Sequence, residues 1–492
     1  MLKEKNIPSV SPAELQCLPS PAFIIDEQLL TANLKKLHLV KEKTGCKILL
    51  AQKAFATFST YPLIGQYLDG TTASGLYEAR LGHEEMPGRE IHCFSPGFTK
   101  YEIGQLLDFT DHIVFNSFSQ WLTFRDQIKF ATHPVSCGLR INPEYSEVAT
   151  ALYDPCSSSS RLGIRLNDFL DGAAKGLLEG IEGLHFHCLC EQGSDALLHT
   201  WEVVKRNFGS FLPKMKWINM GGGHHITKDD YDLDTLCSVI KDAQNSFGLT
   251  VYLEPGEAVA LNAGFLKATV LDVVPSGDMP CAILDTSAAC HMPDVLEMPY
   301  QPRVFPLYSS VMPSAASLLP CTDNPREMSE KRLAAAKLPL GTLASPFGNE
   351  VENANAGSTA DSAADSAAGS AAGSATAAAT GSAAGSATRS AAGSSTAAAT
   401  GSSAGSSAGS ASLYPYRLAG PTCLAGDVIG SYNFPAPLFP GDQVFFCDMA
   451  IYSMVKTNTF NGMPLPAIVL LQPDGKVTVL RRFSYADFRN RL

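Results

Sequence analysis

The chain has 492 residues, of which 37 are Lys or Arg and 48 are Asp or Glu, so its net charge is −11. This length favours two or three domains, and an acidic chain without a basic cluster is a poor partner for nucleic acid or an anionic membrane but suits cationic small molecules. The sequence has no apolar run that could span a bilayer and no apolar signal segment, and its thirteen cysteines include no Cys-x-x-Cys pair, so we expect a cytoplasmic protein with reduced thiols.

A repeated pattern occupies residues 46–254. A short β-rich apolar run ends in a polar or small residue, and an amphipathic stretch follows it. Eight such runs occur, at 46–53, 68–74, 91–97, 112–117, 135–142, 183–189, 216–223 and 250–256. Helical candidates such as 77–85 and 230–246 lie between them. The alternation predicts parallel strands joined by helical crossovers, and eight units in about 210 residues are typical of a TIM (β/α)8 barrel.

After residue 256 the chain changes to short strands separated by turn residues. Apolar runs lie at 265–274, 280–286, 442–449 and 466–483, and the last is divided by a Pro-Asp-Gly turn that indicates a hairpin. We therefore predict a smaller β-domain formed by residues 263–303 and 413–492, with 8–26 as an additional strand. The barrel would occupy residues 27–262.

Residues 356–412 differ sharply in composition from the rest of the chain. They are all Ala, Gly, Ser or Thr except Asp361, Asp365 and Arg389. Such a segment cannot bury enough apolar surface to offset its chain entropy, so we expect a disordered low-complexity region. The preceding stretch is rich in Pro and Ser with weak periodicity, and the predicted insertion therefore covers residues 304–412. A surface loop of this length costs little more to close than a shorter one.

Three of the predicted strand ends carry groups that could take part in catalysis or bind a ligand. Lys53 lies among apolar neighbours, where desolvation would lower its pKa toward the nucleophilic amine, although a lysine at a strand end can also extend to solvent. Gly221–Gly223 would let backbone N–H groups approach a phosphate, or they form a plain tight turn. Glu254 could keep a heterocyclic nitrogen protonated, or it ends its strand in a turn.

Two further motifs leave alternatives open. His185 and His187 share one face of a strand and could ligate a metal, but no third ligand follows at a suitable spacing, so we favour a single functional imidazole and expect no metal. Cys423 lies beside Pro and Gly in a loop, where it is either a reactive group or an inert small side chain.

Taken together and in this order, Lys53, His187, Gly221–Gly223, Glu254 and Cys423 resemble the sites of the fold-type III pyridoxal-phosphate decarboxylases. This alanine racemase-like group includes the ornithine and diaminopimelate decarboxylases. The resemblance covers nearly the whole chain outside the insertion.

The resemblance implies pyridoxal 5′-phosphate as the cofactor and a role for each matched residue. Lys53 would bond to the cofactor covalently, His187 would stack on its ring, and Glu254 would pair with its pyridine nitrogen. The other residues implied near the cofactor are Arg140 and, at the phosphate, Gly221, Gly222, Gly223, Gly256 and Tyr452. The family assembly is a homodimer with composite sites, in which Cys423 would enter the partner's active site and handle the proton after CO2 leaves.

The chain departs from ornithine and diaminopimelate decarboxylases at two positions. Leu424 replaces an acid that contacts the distal end of the substrate, and Glu257 replaces an arginine, which favours a cationic group. Both changes resemble the carboxynorspermidine branch of the group. We therefore expect decarboxylation of carboxynorspermidine to norspermidine, and of carboxyspermidine to spermidine, with Glu257, Asp294 and Asp427 against the substrate amines.

Three alternatives remain open from the sequence. The substrate could be a simpler diamino acid, diaminopimelate or ornithine. The chain could be a regulatory homologue that binds a partner without catalysis. A metal hydrolase that uses His185 and His187 is the third alternative.

Overall fold

The computed structural model describes residues 11–298, 300–309, 342–346 and 413–492, and the predicted disorder of residues 356–412 lies outside them. The described chain begins with helix α1 (Pro12–Cys17), strand β1 (Ala22–Asp26) and helix α2 (Glu27–Thr44). The Asp26 carboxylate accepts hydrogen bonds from the first turn of α2, and Gly45 ends the helix with a φ of 71°.

Eight parallel strands close into a barrel in chain order, which confirms the predicted fold class. The strands are β2 (Lys47–Ala51), β3 (Gly70–Ala73), β4 (Glu90–Ser95), β5 (His112–Phe115), β6 (Ser136–Arg140), β7 (Gly183–His185), β8 (Trp217–Asn219) and β9 (Thr250–Leu253). Strand β9 pairs with β2, with Tyr252 opposite Lys47, so the sheet has no free edge. The carboxyl ends of all eight strands therefore lie at one rim.

Helices cover the outside of the barrel. They are α3 (Tyr61–Ile64), α4 (Leu76–Glu85), α5 (Lys100–Leu106), α6 (Phe118–Ile128), α7 (Leu166–Ala174), α8 (Ser194–Phe208), α9 (Leu233–Phe247) and α10 (Glu257–Ala260). Each longer helix buries one apolar face; in α9 this face includes Leu236, Val239 and Ile240. Among the described residues, no helix combines the length and apolar character that a bilayer crossing requires.

A mixed sheet forms the second β-rich part of the chain. Its elements are β10 (Gly264–Val274), β11 (Cys281–Leu284), α11 (Ala288–His291), α12 (Asp294–Glu297), β12 (Val304–Leu307), β13 (Ser345–Pro346), β14 (Tyr414–Ala419), β15 (Val428–Phe434), β16 (Gln443–Cys447), α13 (Tyr452–Val455), β17 (Ala467–Leu471), β18 (Val477–Arg481) and α14 (Tyr485–Arg489). Most strands follow the order β13-β15-β14-β11-β10-β1-β17-β18, while β16 pairs with β10 and β12. The N-terminal strand β1 thus lies in this sheet, antiparallel to β10 and parallel to β17.

The start of the predicted insertion at residue 304 is wrong. Strand β12 pairs antiparallel with β16, and the side chains of Val304 and Phe305 are fully buried, with the Phe305 ring stacked on Phe445. The sequence signal is weak because β12 has only four residues and is followed by a Pro/Ser-rich stretch. Its burial depends on β16, which lies far away in the chain.

Candidate active site at the barrel mouth

The rim of the barrel brings together residues from five separate strand ends. Lys53 lies two residues after β2, and Arg140 is the last residue of β6. His187, Gly221 and Glu254 follow β7, β8 and β9. These residues are far apart in the chain, but parallel closure of the barrel places them together at one rim.

Lys53 has the environment of an amine nucleophile. Solvent reaches its side chain through the open end of the barrel, while protein atoms enclose it on the other sides. The resulting loss of hydration, together with the charge of Arg140, lowers the pKa of Lys53, and the Glu254 carboxylate opposes this effect only in part. The neutral amine is therefore more accessible than in an ordinary surface lysine.

Backbone contacts fix the orientation and protonation of His187. The N–H of Gly222 donates to His187 Nδ1 at 3.0 Å, and Arg140 Nη2 donates to the His187 carbonyl oxygen at 3.1 Å. Burial and the charges of Lys53 and Arg140 hold the pKa of His187 well below its usual value. The imidazole is therefore neutral, with its proton on Nε2 because Nδ1 accepts a hydrogen bond.

Glu254 is a buried carboxylate that stays ionised. Its Oε1 accepts a hydrogen bond from Asn219 Nδ2 at 2.7 Å, and its Oε2 lies 3.5 Å from His185 Nε2. Burial alone would raise the pKa of Glu254, but the neighbouring His185 and the hydrogen bond from Asn219 lower it to about 2. A carboxylate of this kind suits a partner that carries a proton on a ring nitrogen.

Asn219 and His185 were not among the site residues predicted from the sequence. Asn219 is the polar last residue of β8 and also accepts the Gly221 N–H at 2.9 Å. His185 was noted only as part of a His-x-His pair. Both are polar residues at the ends of barrel strands, and this position could have identified them as site residues.

The glycine loop can hold only glycines. Gly221 and Gly223 have φ values of 70° and 83°, which disfavour other residues. A Cβ atom would lie 1.9 Å from the Leu189 carbonyl oxygen at Gly223 and 2.7 Å from the Ala54 Cβ at Gly256. Within the described part of the chain, the N–H groups of Gly223 and Gly256 donate to no protein acceptor, so they suit a phosphate.

One side of the mouth is rich in carboxylates. Glu257 Oε2 lies 3.2 Å from His225 Nε2, and Asp294 forms an ion pair with Lys456. Burial, followed by the charge of Glu257, also raises the pKa of Tyr452, which therefore remains a hydroxyl donor.

Glu191 also belongs to this carboxylate-rich side, and the sequence analysis missed it. It adopts a φ of 56° and is exposed to solvent, and partial loss of hydration together with the charges of Glu257 and Asp294 raises its pKa. Over the described ranges its carboxylate has neither a hydrogen bond nor an ion pair. Its place four residues after His187, in the same strand-end segment, was a signal that could have identified it.

The structure does not support the assignment of Asp427 to a substrate amine. Its side chain is buried, its Oδ1 accepts from Ser287 Oγ and Ala289 N–H, and its Oδ2 accepts from Thr422. Oδ2 is thus engaged within the loop that joins β14 and β15, and Oδ1 ties this loop to the start of α11. Asp427 holds this loop in place, while Cys423, on the same loop, is exposed and does not hydrogen-bond to any described residue.

The side chains that come nearest to a metal-ligand set lie at the opposite end of the barrel. Among the described residues these are Glu90, His92 and His112, with candidate ligand atoms within 4.8 Å of one another. Glu90 is already paired with Lys47. The two imidazole rings stack at 3.9 Å with planes 14° apart, so their in-plane lone pairs run parallel instead of converging on one ion.

Comparison with known proteins relates the whole chain to one group of decarboxylases. No known family model matches it. The chain is 36% identical over 96% of its length to a carboxynorspermidine/carboxyspermidine decarboxylase of Campylobacter jejuni, of which it covers 98%. It is 34% identical over 97% of its length to a carboxyaminopropylagmatine decarboxylase of Synechocystis, of which it covers 96%.

Solved structures show the same relationship. The chain matches a Campylobacter jejuni carboxynorspermidine decarboxylase in complex with norspermidine at a TM-score of 0.70 and 34% identity, covering 96% of this chain and all (100%) of that one. A Helicobacter pylori diaminopimelate decarboxylase in complex with L-lysine has a TM-score of 0.69 at 15% identity, covering 98% of this chain and 99% of that one. The second match shows the shared fold alone.

We expect Gly223→Ala to destabilise the protein more than Gly45→Ala. Gly45 has a φ of 71° but no neighbouring atom within 4 Å of an added Cβ, so both variants bear the left-handed backbone cost of about 1 kcal/mol and only Gly223→Ala adds a clash with Leu189. Urea unfolding should give a further loss of about 2 kcal/mol or more for Gly223→Ala. Equal losses would contradict the close packing of this loop.

Proposed function

Because the chain belongs to the family of carboxynorspermidine/carboxyspermidine decarboxylases, we propose that it removes the α-carboxylate of carboxynorspermidine or carboxyspermidine and releases norspermidine or spermidine in polyamine biosynthesis. The observation that carries the proposal is the arrangement of Lys53, the ionised Glu254 and the glycine loop around one cavity in a chain similar to this family over nearly its full length. The cysteine content suits a reducing compartment, and we place the reaction in the cytoplasm.

The cavity fits pyridoxal 5′-phosphate. Lys53 would supply the amine that bonds to the cofactor, Glu254 would pair with its pyridine nitrogen, and His187 would cover its ring. The N–H groups of Gly223 and Gly256, with the Tyr452 hydroxyl, would hold the phosphate. When bound, pyridoxal phosphate supplies an electron sink for the pair left at the substrate's α-carbon as CO2 departs.

Each residue at the barrel mouth has a separate role in the proposed reaction. The low pKa of Lys53 keeps part of the amine neutral, so that it can exchange with the amine of the substrate. The ionised Glu254 would favour a proton on the pyridine nitrogen, and the neutral His187 would add no charge beside the ring. Arg140, through the His187 carbonyl oxygen, keeps the imidazole in place.

The carboxylates on one side of the mouth favour a substrate with several amines. Glu257 and Asp294 already face His225 and Lys456, whereas Glu191 has no partner among the described residues. An ammonium group of the substrate would relieve the repulsion between Glu191 and Glu257. We therefore place a substrate ammonium against Glu191, with Glu257 and Asp294 nearby.

We further propose a homodimer with composite sites. The loop of Cys423 and Leu424 is exposed, yet the buried Asp427 holds its base rigidly. A rigid exposed loop can enter the site of a second copy. There Cys423 Sγ would return a proton to the α-carbon, and Leu424 would contact the methylene groups of the substrate.

The first experiment is visible absorbance of the purified protein with pyridoxal phosphate, before and after addition of carboxynorspermidine. We expect a cofactor band that shifts with substrate and is absent from Lys53→Ala. Rates of CO2 release should be highest with carboxynorspermidine or carboxyspermidine. Faster CO2 release from carboxyaminopropylagmatine, diaminopimelate or ornithine would identify that compound as the preferred substrate. The absence of a cofactor band would favour the non-catalytic alternative.

Glu191→Gln should weaken substrate binding with little effect on the chemical step. Loss of one charged contact raises KM for carboxynorspermidine by about tenfold while kcat stays near the wild-type value. Steady-state kinetics measure both constants. Glu202→Gln, an exposed residue of α8, is the control and should change neither. An unchanged KM in Glu191→Gln would contradict the contact.

Mixing two inactive variants tests the composite site. Cys423→Ala should lower kcat by about 10²–10⁴-fold through loss of the proton donor, and Lys53→Ala should be inactive. Co-refolded heterodimers of the two should regain activity, because one of their two sites contains both native residues. Cys17→Ala, another exposed cysteine, should keep full activity. Heterodimers without recovered activity would contradict the shared site.

A further inference from the structure

We propose that His185 is a positioning residue for Glu254, which it contacts through Nε2–H on one carboxylate oxygen while Asn219 contacts the other. This inference rests on the proposed function, in which the carboxylate would pair with the pyridine nitrogen of the cofactor. The three residues belong to neighbouring strand ends: His185 ends β7, Asn219 ends β8, and Glu254 follows β9.

The strand register places the three side chains in contact. His185 and Asn219 are paired across β7 and β8, and Asn219 is paired with Tyr252 across β8 and β9. Glu254 lies two residues beyond Tyr252, so its side chain points to the same face as that of Tyr252. The inner surface of the barrel thus brings one donor to each oxygen of the carboxylate, Asn219 to Oε1 and His185 to Oε2.

Within the described part of the chain, the ring nitrogens of His185 have no polar contact other than the one with Glu254. Its side chain is 2% exposed, and neither nitrogen forms a hydrogen bond there. The ring packs against Phe94 at 5.5 Å, and Glu254 Oε2 lies 3.5 Å from Nε2. This distance is long for a hydrogen bond, but contacts of this kind in active sites often shorten when substrate binds.

The protonation of the pair makes His185 a neutral donor. Burial, reinforced by the charges of Arg140 and Lys53, lowers the pKa of His185, so the ring is uncharged at neutral pH. A neutral imidazole has one N–H, and the ionised Glu254 can only accept. Donation from Nε2 would therefore orient the carboxylate without neutralising it, and its remaining lone pairs would stay available for the cofactor.

The alternative is an inert core histidine, and the test must separate the two. Other titratable groups act on this pair and are common to every variant: Lys53, Arg140, His187 and His92. The quantity measured is therefore the protonation of the pyridine nitrogen itself. It is monitored by ¹⁵N NMR of protein loaded with ¹⁵N-labelled pyridoxal phosphate, from neutral to alkaline pH.

We expect the wild-type signal to stay at its pyridinium position, and His185→Leu to move toward the neutral pyridine position as pH rises. The dissociation constant of pyridoxal phosphate should rise about tenfold in His185→Leu. His185→Gln, which keeps an N–H donor, should restore much of the pyridinium signal and of the affinity. If His185→Leu does not fold, Asn219→Leu takes its place and should change the signal and the dissociation constant in the same direction.

His291→Leu is the control, since His291 is a fully buried histidine in helix α11, and it should leave the signal unchanged. A folded His185→Leu or Asn219→Leu protein that keeps the pyridinium signal and wild-type affinity would overturn the inference. A wild-type protein that binds no pyridoxal phosphate would instead overturn the proposed function.

Discussion

The parallel closure of the barrel is the constraint on which the site depends. Strands of three to six residues pair in register from β2 to β9 and back to β2, so each strand delivers its last side chain to the same rim. A lysine, an arginine, a histidine pair and a glutamate from four segments then lie at this rim. Nothing in the local conformation of any one segment would bring them together.

Burial of several charges at this rim sets the chemistry. Lys53 and Arg140 are both cationic groups in a poorly hydrated region, and each lowers the pKa of its neighbours. Glu254 is the compensating anion, and Asn219 adds a hydrogen bond to it. Removing such charges from water costs free energy of folding. Once they are fixed in place, they can stabilise the charge that develops during a reaction. The same field keeps His187 neutral while Glu254 remains ionised.

The mixed sheet contributes the second half of the proposed site. It supplies Tyr452 and the acidic side chain of Asp294, and it holds the exposed loop of Cys423 through the buried hydrogen bonds of Asp427. In the proposed function, the barrel would hold the cofactor, while the second β-rich part would supply groups suited to substrate amines and to a second copy of the chain.

The sequence alone determined the barrel and its main residues, because strand periodicity and strand-end residues are local properties. The positions of Lys53, His187, Glu254 and the glycine loop followed from them. Only the tertiary structure decided that β12 lies in the sheet, that Asp427 is buried and satisfied, and that Glu191 and Asn219 belong to the site. Each of these depends on contacts between segments distant in the chain, and such contacts leave no periodic signal in either segment.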